Sequence, residues 1–537
     1  MIPFTPIQRP FSSPLPRRLA LAFVDRLTDT TGRPTANKLA WAGSLALLTL
    51  ALASIALPVG SIGFIFERNY NEGWNAYHAA RAASGEALYG SQWHPVNYPF
   101  LSFYLIGWLT PLFGDPLLIG RFLNVVALLA VAGCAALIVR RLDGGGPGMV
   151  LAAACVLALQ QLQASRWVAS DEPQMLAEAL VLAGLAIYVS GPIRWGRLAA
   201  CALFLAAGGF VKQIVVAIPV AITIDLLVRD RRWFLPWCLC LAVAIGFLLA
   251  ASEAVAGSGA FADVLAPRPY HWGSIVYNGR KFLSRLKAPL IGSLILLALP
   301  VLGRWASLLR CYGAASLLGA VFFSGGDGLS NNVYLEPCVA MGIIGGVALG
   351  RWRSADRSPP VFRALALLAA VSVAAPLIAS GPKSLAALAD AGTAWRLYRQ
   401  HEAEFRVASA RLRAQPGAAL CESLLLCFEA GKALTVDPFG ARTQILSGQA
   451  AESALIVDIA EHRFAVIVLP TTVKLDPGNP SHIVTDVLTR ARFTPATLSA
   501  IARSYVLTDE LIGAAFYLPR EDGCGARCTD SALSSEQ

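Results

Sequence analysis

Residues 198–228 read LAACALFLAAGGFVKQIVVAIPVAITIDLLV, an apolar run that Lys212 and Gln213 interrupt near its middle. A single helix of this length would place the basic stretch 229–232 on the opposite side of a membrane from the other basic loops. Two short helices that turn at Lys212 keep all of these loops on one side. Because basic loops face the cytoplasm in membrane proteins, we predict the hairpin, with Lys212 at its outer turn.

The composition of the whole chain is that of a membrane protein. Of its 537 residues, 56% are hydrophobic and 15% are charged, and the mean hydropathy is +0.57. Soluble domains carry about 25% charged residues. These values exclude an ordinary water-soluble enzyme and a disordered chain. The net charge of +10 lies mostly in short loops between apolar runs, so it indicates topology, and we expect membrane lipids rather than nucleic acid as partners.

The hairpin belongs to a series of about eleven predicted membrane helices. They cover residues 39–60, 121–139, 149–165, 173–190, 198–211, 213–228, 234–256, 289–303, 305–323, 335–350 and 361–380. The N-terminal tail, residues 1–38, is basic and lacks the apolar core and cleavage site of a signal peptide, so we predict that it is cytoplasmic. An odd number of spans then places residues 383–537 on the outer side.

These spans divide the chain into a membrane domain, residues 39–382, and an outer domain, residues 383–537. The membrane domain contributes four outer loops, at residues 61–120, 164–173, 257–288 and 324–336. The outer domain is less apolar and contains FAVIVL at residues 464–469, a pattern typical of a buried strand, together with stretches of helical pattern. We therefore predict an α-helical polytopic membrane protein with a small outer α/β domain.

The eleven cysteines divide between these two parts. Seven lie in or beside membrane helices, where a free thiol behaves as a small apolar side chain. The other four lie in the outer domain, where an even number in an oxidising compartment indicates disulfides. The sequence leaves the pairing open, and we expect Cys421–Cys427 and Cys524–Cys528. A zinc site is the alternative, which the lack of a nearby histidine with ligand spacing disfavours.

The first outer loop carries an acid in an aromatic setting. Its sequence ERNYNEGWNAYH begins at Glu67. A helix beginning at Glu72 would gather on one face the side chains of Trp74, Tyr77, His78 and Arg81. Aromatic rings with a basic tip suit a helix that lies on the membrane surface. Glu72 is then either a favourable helix-start acid or a general base at the bilayer surface.

Two further outer loops place polar groups beside the membrane. Asp171 and Glu172 are adjacent acids that could bind a metal or a substrate, whereas the structural alternative is a cap on the next helix. Asn331, Tyr334 and Glu336 lie at the mouth of a later span. Ionisable residues at that depth are functional candidates, with packing between spans as the alternative.

Cations on the outer side provide a second group of candidates. Lys212 could contact a phosphate, or its side chain could simply extend to the membrane surface. The loop 257–288 is rich in cations, against the rule that basic loops face the cytoplasm. Arg280 and Lys281 in this loop suit an anionic ligand at the membrane face, or lipid headgroups.

The order of these motifs resembles the GT-C superfamily of polytopic glycosyltransferases, which use polyprenyl-phosphate sugars. The likeness is greatest to the bacterial group of lipopolysaccharide galacturonosyltransferases and protein O-mannosyltransferases. The motifs that carry it are Asn71-Glu72-Gly73, Gly85-Glu86-Ala87-Leu88-Tyr89, Asn97-Tyr98-Pro99-Phe100, Phe113-Gly114, Arg121, Asp171, Phe210-Val211-Lys212-Gln213 and Asn331-Asn332-Val333-Tyr334-Leu335-Glu336. Each motif is short, and their order along the chain makes the resemblance.

The resemblance implies a GT-C-like membrane domain followed by an extracytoplasmic α/β domain. In that family an acid of the first outer loop is the catalytic base, usually an Asp that a Glu follows. Here Asn71 takes the first place, so the role passes to Glu72, and Asp171 joins it in the expected catalytic set. The expected substrate contacts are Glu172, Lys212, His78, Arg81, Tyr98, Arg280, Lys281, Asn331, Tyr334 and Glu336.

The implied reaction requires a base and a positive charge. The acceptor hydroxyl must lose its proton as it attacks the anomeric carbon, and direct displacement inverts that carbon. The charge on the leaving lipid phosphate needs Lys, Arg or a divalent cation, so Mg or Mn at Glu72 and Asp171 is one option. The expected partners are a polyprenyl-phosphate sugar donor and a lipid, glycan or protein acceptor, at the periplasmic or exterior face of a bacterial inner membrane.

Two other functions remain open at this point. A transporter or flippase predicts ionisable residues near the bilayer midplane and paired inverted halves, whereas these acids lie in outer loops. An inactive GT-C-like scaffold is the second alternative, because Asn71 replaces the usual acid.

Overall fold

A computed structural model describes residues 33–257, 259–352, 359–475, 483–484, 492–511 and 513–520. Helices dominate the membrane domain. They are α1 (Arg33–Gly60), α2 (Asn71–Ser84), α3 (Leu101–Phe113), α4 (Pro116–Arg141), α5 (Gly145–Ala164), α6 (Gln174–Val189), α7 (Trp195–Val211), α8 (Ala217–Arg229), α9 (Phe234–Ala256), α10 (Ala260–Val264), α11 (Trp272–Ala298), α12 (Ala306–Phe323), α13 (Leu335–Trp352) and α14 (Pro360–Ala389).

Seven helical segments of the described chain are long and apolar enough to cross a membrane. They are Asn37–Gly60, Pro116–Arg141, Gly145–Trp167, Arg231–Ala256, Pro300–Phe323, Asn331–Trp352 and Pro360–Ala389. The remaining apolar runs of the sequence lie on the shorter helices α6, α7 and α8 and on the second half of α11. The fold is therefore the helical membrane bundle that the sequence predicts, with seven spans that meet the length criterion by themselves.

The predicted hairpin is present. α7 ends at Val211, and Lys212 is extended, with φ −154° and ψ 120°. Trp195 at the beginning of α7 and Trp233 just beyond α8 have ring centroids 6.2 Å apart. Because the beginning of α7 lies close to the end of α8, the chain reverses direction between the two helices. Lys212 therefore lies at the opposite end of this helix pair.

Close packing of α13 against α5 forms the centre of the membrane domain. A Cβ atom on Gly148 would collide with the Gly346 backbone, so the two helices approach at their glycines. Small residues allow such close approach between membrane helices. α13 is buried along nearly its whole length.

The outer part of the chain forms the predicted α/β domain. Its elements are α15 (Ala391–Arg413), β1 (Ala419–Cys421), α16 (Leu424–Glu429), α17 (Pro438–Leu446), α18 (Glu452–Ala460), β2 (Val466–Leu469), β3 (Lys474–Leu475), β4 (Ile483–Val484), α19 (Pro495–Ser504), β5 (Tyr505–Leu511) and β6 (Ala514–Pro519). The main sheet has the order β1-β2-β6-β5; β1 and β2 are parallel, and the other pairs are antiparallel. FAVIVL supplies β2, as its pattern predicts.

One predicted disulfide is confirmed. Cys421 at the end of β1 is bonded to Cys427 in α16. The second predicted pair, Cys524–Cys528, lies outside the described residues. The disulfide closes the segment that lies against the first outer loop, which is described next.

Candidate functional site

A buried ion pair anchors the first outer loop. Glu72, in the first turn of α2, accepts hydrogen bonds from Nε and Nη2 of Arg121 on α4, at 2.7 and 2.9 Å. Both side chains are fully buried. The backbone N–H groups of Arg68 and Asp171 donate to the same carboxylate, at 2.8 and 3.1 Å. These four donors engage both oxygens of Glu72, an arrangement that suits positioning better than proton abstraction.

The loop before α6 brings a second acid beside this pair. Asn75 donates to the Asp171 carbonyl at 2.7 Å, and Asn124 donates to the Glu172 carbonyl at 2.9 Å. The Asp171 side chain is 2% exposed, and its Oδ2 has no hydrogen-bond partner among the described residues. It lines a cavity of about 10 Å³ with Asn75, Ser102 and Glu172.

The electrostatic setting of Asp171 favours its protonated form. Burial raises the pKa of this carboxyl well above its usual range, and the charges of Glu72 and Glu172 raise it further. The alternative prediction, a cap on the next helix, is wrong, because α6 begins without a side-chain cap. A buried carboxyl with a raised pKa and one unpaired oxygen is typical of a group that exchanges a proton.

A second buried pair joins the hairpin turn to the same loop. Lys212 Nζ forms an ion pair with Glu172, and Asn71 Nδ2 donates to the other Glu172 oxygen at 2.8 Å. The ammonium also lies 4.6 Å from the centre of the Tyr98 ring. The structure thus brings together five sequence-predicted residues: Glu72, Asp171, Glu172, Lys212 and Tyr98.

An apolar groove opens beside this pair. It has a volume of about 390 Å³ and lies between α7, α8 and α9. Its lining includes Phe210 and Gln213, which flank the Val211–Lys212 turn. Gln213 and the half-buried Arg268 both donate to the Asn97 carbonyl, at 2.9 and 3.0 Å, so a second cation lies near this end of the groove.

Two residues of this site escaped the sequence analysis as functional groups. Arg121 entered the sequence analysis only as one motif of the resemblance, without a role, and Arg268 is one of the unnamed cations of the loop 257–288. An arginine at the start of a membrane helix indicates a buried ion pair, because a buried guanidinium requires a carboxylate partner. Nothing in the sequence indicates which carboxylate that is.

His78 and Arg81 lie apart from the acids. His78 is fully buried between Trp74 and Phe103, with ring centroids at 4.6 and 5.6 Å. Burial lowers the pKa of His78, and the charge of Arg81 lowers it further. Arg81 instead pairs with Glu86 at 3.4 Å.

The predicted membrane-surface face of α2 is covered by protein. Trp74 and Tyr77 are both buried, and Tyr77 contacts Phe428 of α16 with ring centroids 5.1 Å apart. The surface-helix interpretation of this face is therefore wrong, because the outer domain covers it.

The outer domain is in direct contact with the acid-bearing loop. Ser423 donates to Glu67, and Tyr70 donates to Asp437. A Cβ atom on Gly73 would collide with the backbone of α16. Burial raises the pKa of Asp437 to about 6, although the hydrogen bond from Tyr70 lowers it in part. The site is therefore enclosed between the membrane domain and the outer domain.

The remaining predicted residues form two separate groups. Arg280 is exposed, and Lys281 lies near Arg166 and Arg285 without an ion-pair partner in the described parts of the chain. Asn331, Tyr334 and Glu336 pack between helices: the Asn331 carbonyl accepts from Gln163 at 3.3 Å, and Tyr334 stacks on Phe282 at 4.5 Å.

The residues do not fit a divalent cation at Glu72 and Asp171. The Arg121 guanidinium occupies both Glu72 oxygens, and a second cation there would be repelled. No group of three or more His, Cys, Asp or Glu side chains within the described ranges could hold a metal ion.

Comparisons with known proteins show the fold. No family model matches the sequence, and no curated protein matches it. The crystal structure of ArnT from Cupriavidus metallidurans in the apo state matches with a TM-score of 0.58 at 16% identity. The structure of the same protein bound to undecaprenyl phosphate matches with a TM-score of 0.55 at 15% identity. Each match covers 90% of this chain and 99% of the other, and the chain has the GT-C fold.

Proposed function

We propose that this protein is a membrane glycosyltransferase that moves a sugar from a polyprenyl-phosphate-linked donor to a hydroxyl of a lipid, glycan or protein. The observation that carries the proposal is the apolar groove of about 390 Å³ that opens beside the buried pair of Lys212 and Glu172. The ArnT structure with undecaprenyl phosphate supports the same class of ligand for this fold.

The groove and the cations would bind different parts of the donor. The groove suits a prenyl chain, because its lining is almost wholly apolar. Lys212 suits the phosphate, which would replace Glu172 as its partner. Arg268, which shares the Asn97 carbonyl with Gln213, adds a second positive charge nearby. Together the two cations would stabilise the charge that develops on the leaving lipid phosphate.

We assign the general base to Asp171 and a positioning role to Glu72. Glu72 could take a proton only by giving up its bonds to Arg121, which would leave a buried guanidinium unpaired. Asp171 keeps an unpaired oxygen that can accept a proton when the carboxyl is ionised, and its raised pKa makes that carboxylate a stronger base. The acceptor oxygen would bond to the anomeric carbon as the bond to the phosphate oxygen breaks, with inversion, and the hydroxyl proton would pass to Asp171.

The exposed cations suit the acceptor or the membrane itself. Arg280 and Lys281, with Arg166 and Arg285 close to Lys281, would attract an anionic group. This assignment is part of the proposal. So is the location of the protein in a bacterial inner membrane, with the outer domain on the periplasmic side.

The decisive experiment follows labelled sugar from membrane polyprenyl-phosphate donors into added acceptors. We expect Asp171→Asn to lower transfer by about 100-fold or more while thermal unfolding stays close to that of the parent protein. Asp143→Asn makes the same chemical change at the opposite end of the bundle and should leave transfer unchanged. Full transfer by Asp171→Asn would overturn the base assignment. If no form of the protein consumes any donor across a broad panel of sugars and acceptors, the proposed class is wrong.

A further inference from the structure

One short helix of the outer domain, α17, packs against the segment that meets Arg268. The backbone N–H at the N-cap of α17 donates to the Trp93 carbonyl at 2.8 Å. A Cβ atom on Gly440 would collide with Pro95. Asn97, two residues further along, provides the carbonyl that accepts from Arg268 at 3.0 Å. The beginning of α17 therefore supports the hydrogen-bond acceptor of Arg268.

The same helix also binds the last outer loop, residues 324–336. Arg442 Nη1 forms an ion pair with Asp327 Oδ2 at 3.1 Å, and the two side chains are 19% and 16% exposed. The Phe439 ring lies so close to Gly328 that a Cβ atom there would be 2.5 Å from it. Gly328 has φ +78°, a conformation that glycine adopts without strain. A charge and a close contact thus fix this loop to the outer domain.

The last outer loop in turn holds the segment that carries Arg268. Asp327 N–H donates to the Pro269 carbonyl at 2.9 Å, and His271 N–H donates to the Gly325 carbonyl at 2.7 Å. An isolated antiparallel bridge lies between these two bonds. Because Arg268 directly precedes the first bonded carbonyl, this pairing of the two loops sets where its guanidinium can lie.

We propose that Arg442 is a positioning residue that acts through Arg268. By pairing with Asp327 it holds the last outer loop, and the backbone bonds between the loops pass that position on to Arg268. α17 also supports Asn97, so one helix fixes both partners of the contact that keeps the second cation near the groove. The proposal rests on the proposed function only where Arg268 binds the donor phosphate, since the loop contacts do not depend on any activity.

The first experiment measures the loop contacts without any substrate. Hydrogen–deuterium exchange is followed in the full-length protein, and we expect the amides of Asp327 and His271 to exchange about fivefold faster in Arg442→Gln, the order of effect of one lost ion pair. Arg442→Lys keeps the charge and should retain most of the protection. The amides of β2 should stay protected in both variants. Unchanged exchange at the two loop amides, or an equal rise throughout β2, would overturn the positioning role.

Arg411→Gln provides the matched control. Arg411 pairs with Asp509 at 3.0 Å inside the outer domain, and the two side chains are 32% and 36% exposed. The same chemical change should here leave the amides of Asp327 and His271 protected. Equally fast exchange of these amides in Arg411→Gln would show a general loosening of the outer domain and would overturn the specific role of Arg442.

The second experiment is a double-mutant cycle on the affinity of the purified full-length protein for a polyprenyl phosphate. We expect Arg442→Gln to weaken this binding about fivefold and to leave binding of the corresponding polyprenol, which lacks the phosphate, unchanged. In the background of Arg268→Gln, Arg442→Gln should add almost nothing, because the effect passes through the missing guanidinium. Additive losses, or an equal loss for the polyprenol, would overturn the positioning role. If the parent protein binds no polyprenyl phosphate, the proposed donor class is wrong, and the exchange experiment still decides whether Arg442 holds the loops.

Discussion

Glu72 and Arg121 form a fully buried ion pair with two N–O contacts, at 2.7 and 2.9 Å. Arg121 also donates to the carbonyls of Ile62, Phe64 and Phe66. One guanidinium therefore ties α4 to both the loop before α2 and the first turn of α2. The loop that carries the acids depends on this pair for its shape.

Loss of that pair is expected to destabilise the protein strongly. Arg121→Met should lower the free energy of unfolding by about 3–5 kcal/mol, because it leaves the buried Glu72 carboxylate without a counter-charge. Thermal unfolding in detergent is the measurement. Arg406→Met removes the exposed partner of Glu402 on α15, whose side chains are 69% and 17% exposed, and should cost less than about 0.5 kcal/mol. Similar losses in the two variants would contradict the structural role of Arg121.

Gly73→Ala is expected to separate the outer domain from the first outer loop. The added methyl group would collide with the backbone of α16, which cannot move aside as a flexible side chain can. We expect a loss of about 1–3 kcal/mol of stability and faster proteolysis of the outer domain. Gly133→Ala, on α4, is the matched control. Its added methyl group has no other atom within 4 Å, and the change brings the same gain in helix propensity. Equal protease resistance in both variants would argue against this contact.

Burial of Asp437, where it contacts Tyr70, makes stability depend on pH. The pKa of Asp437 is raised to about 6 by burial, so the folded protein holds this proton more tightly than the unfolded chain does. The stabilisation is complete below about pH 4 and is lost as the pH rises through 6, by up to about 3 kcal/mol. Glu67 on the same interface has a pKa raised by burial and changes stability in the same direction.

Melting temperatures between pH 4.5 and 7.5 measure this dependence. Asp437→Asn cannot titrate at this position, so the fall in melting temperature with rising pH should be smaller than in the parent protein. Asp458→Asn, in α18, serves as the matched control. Identical pH curves for the parent and Asp437→Asn would refute the prediction.

Reduction of the disulfide is expected to weaken the segment that contacts Gly73. Cys421–Cys427 closes a short loop that includes Ser423 and the beginning of α16. Opening a loop of this length should cost about 2 kcal/mol. The melting temperature of the parent protein should therefore fall on addition of a thiol reductant. The double variant Cys421→Ser with Cys427→Ser should melt lower at the outset and show no response to the reductant.

Hydropathy was enough to predict the seven long apolar helices of the described chain, whereas the other predicted spans lie on shorter helices and on the second half of α11. The basic stretch 229–232 required the chain to turn near Lys212, and the chain does turn there. FAVIVL predicted β2 because six apolar residues between turn signals match a buried strand. Each of these inferences depends on residues close together in the sequence.

Contacts between distant parts of the chain could not be predicted in the same way. The aromatic face of α2 has the composition of a membrane-surface helix, yet Phe428 of the outer domain covers Tyr77. Asn331 has the sequence context of an outer-loop ligand, yet its carbonyl accepts a hydrogen bond from Gln163 of α5. In both cases the local pattern is correct, and the partner comes from an element more than a hundred residues away.

The hydrogen bond between Tyr70 and Asp437 joins residues 367 positions apart. During synthesis the first outer loop emerges well before the domain that encloses it. Chains fold broadly in the order in which they are made, and contacts of such long range form last. The acids at the beginning of α2 therefore remain uncovered until the C-terminal α/β domain has folded. A chain that stops before residue 391 would keep its membrane helices and still lack the domain that encloses these acids, so closure of the site depends on the C-terminal domain.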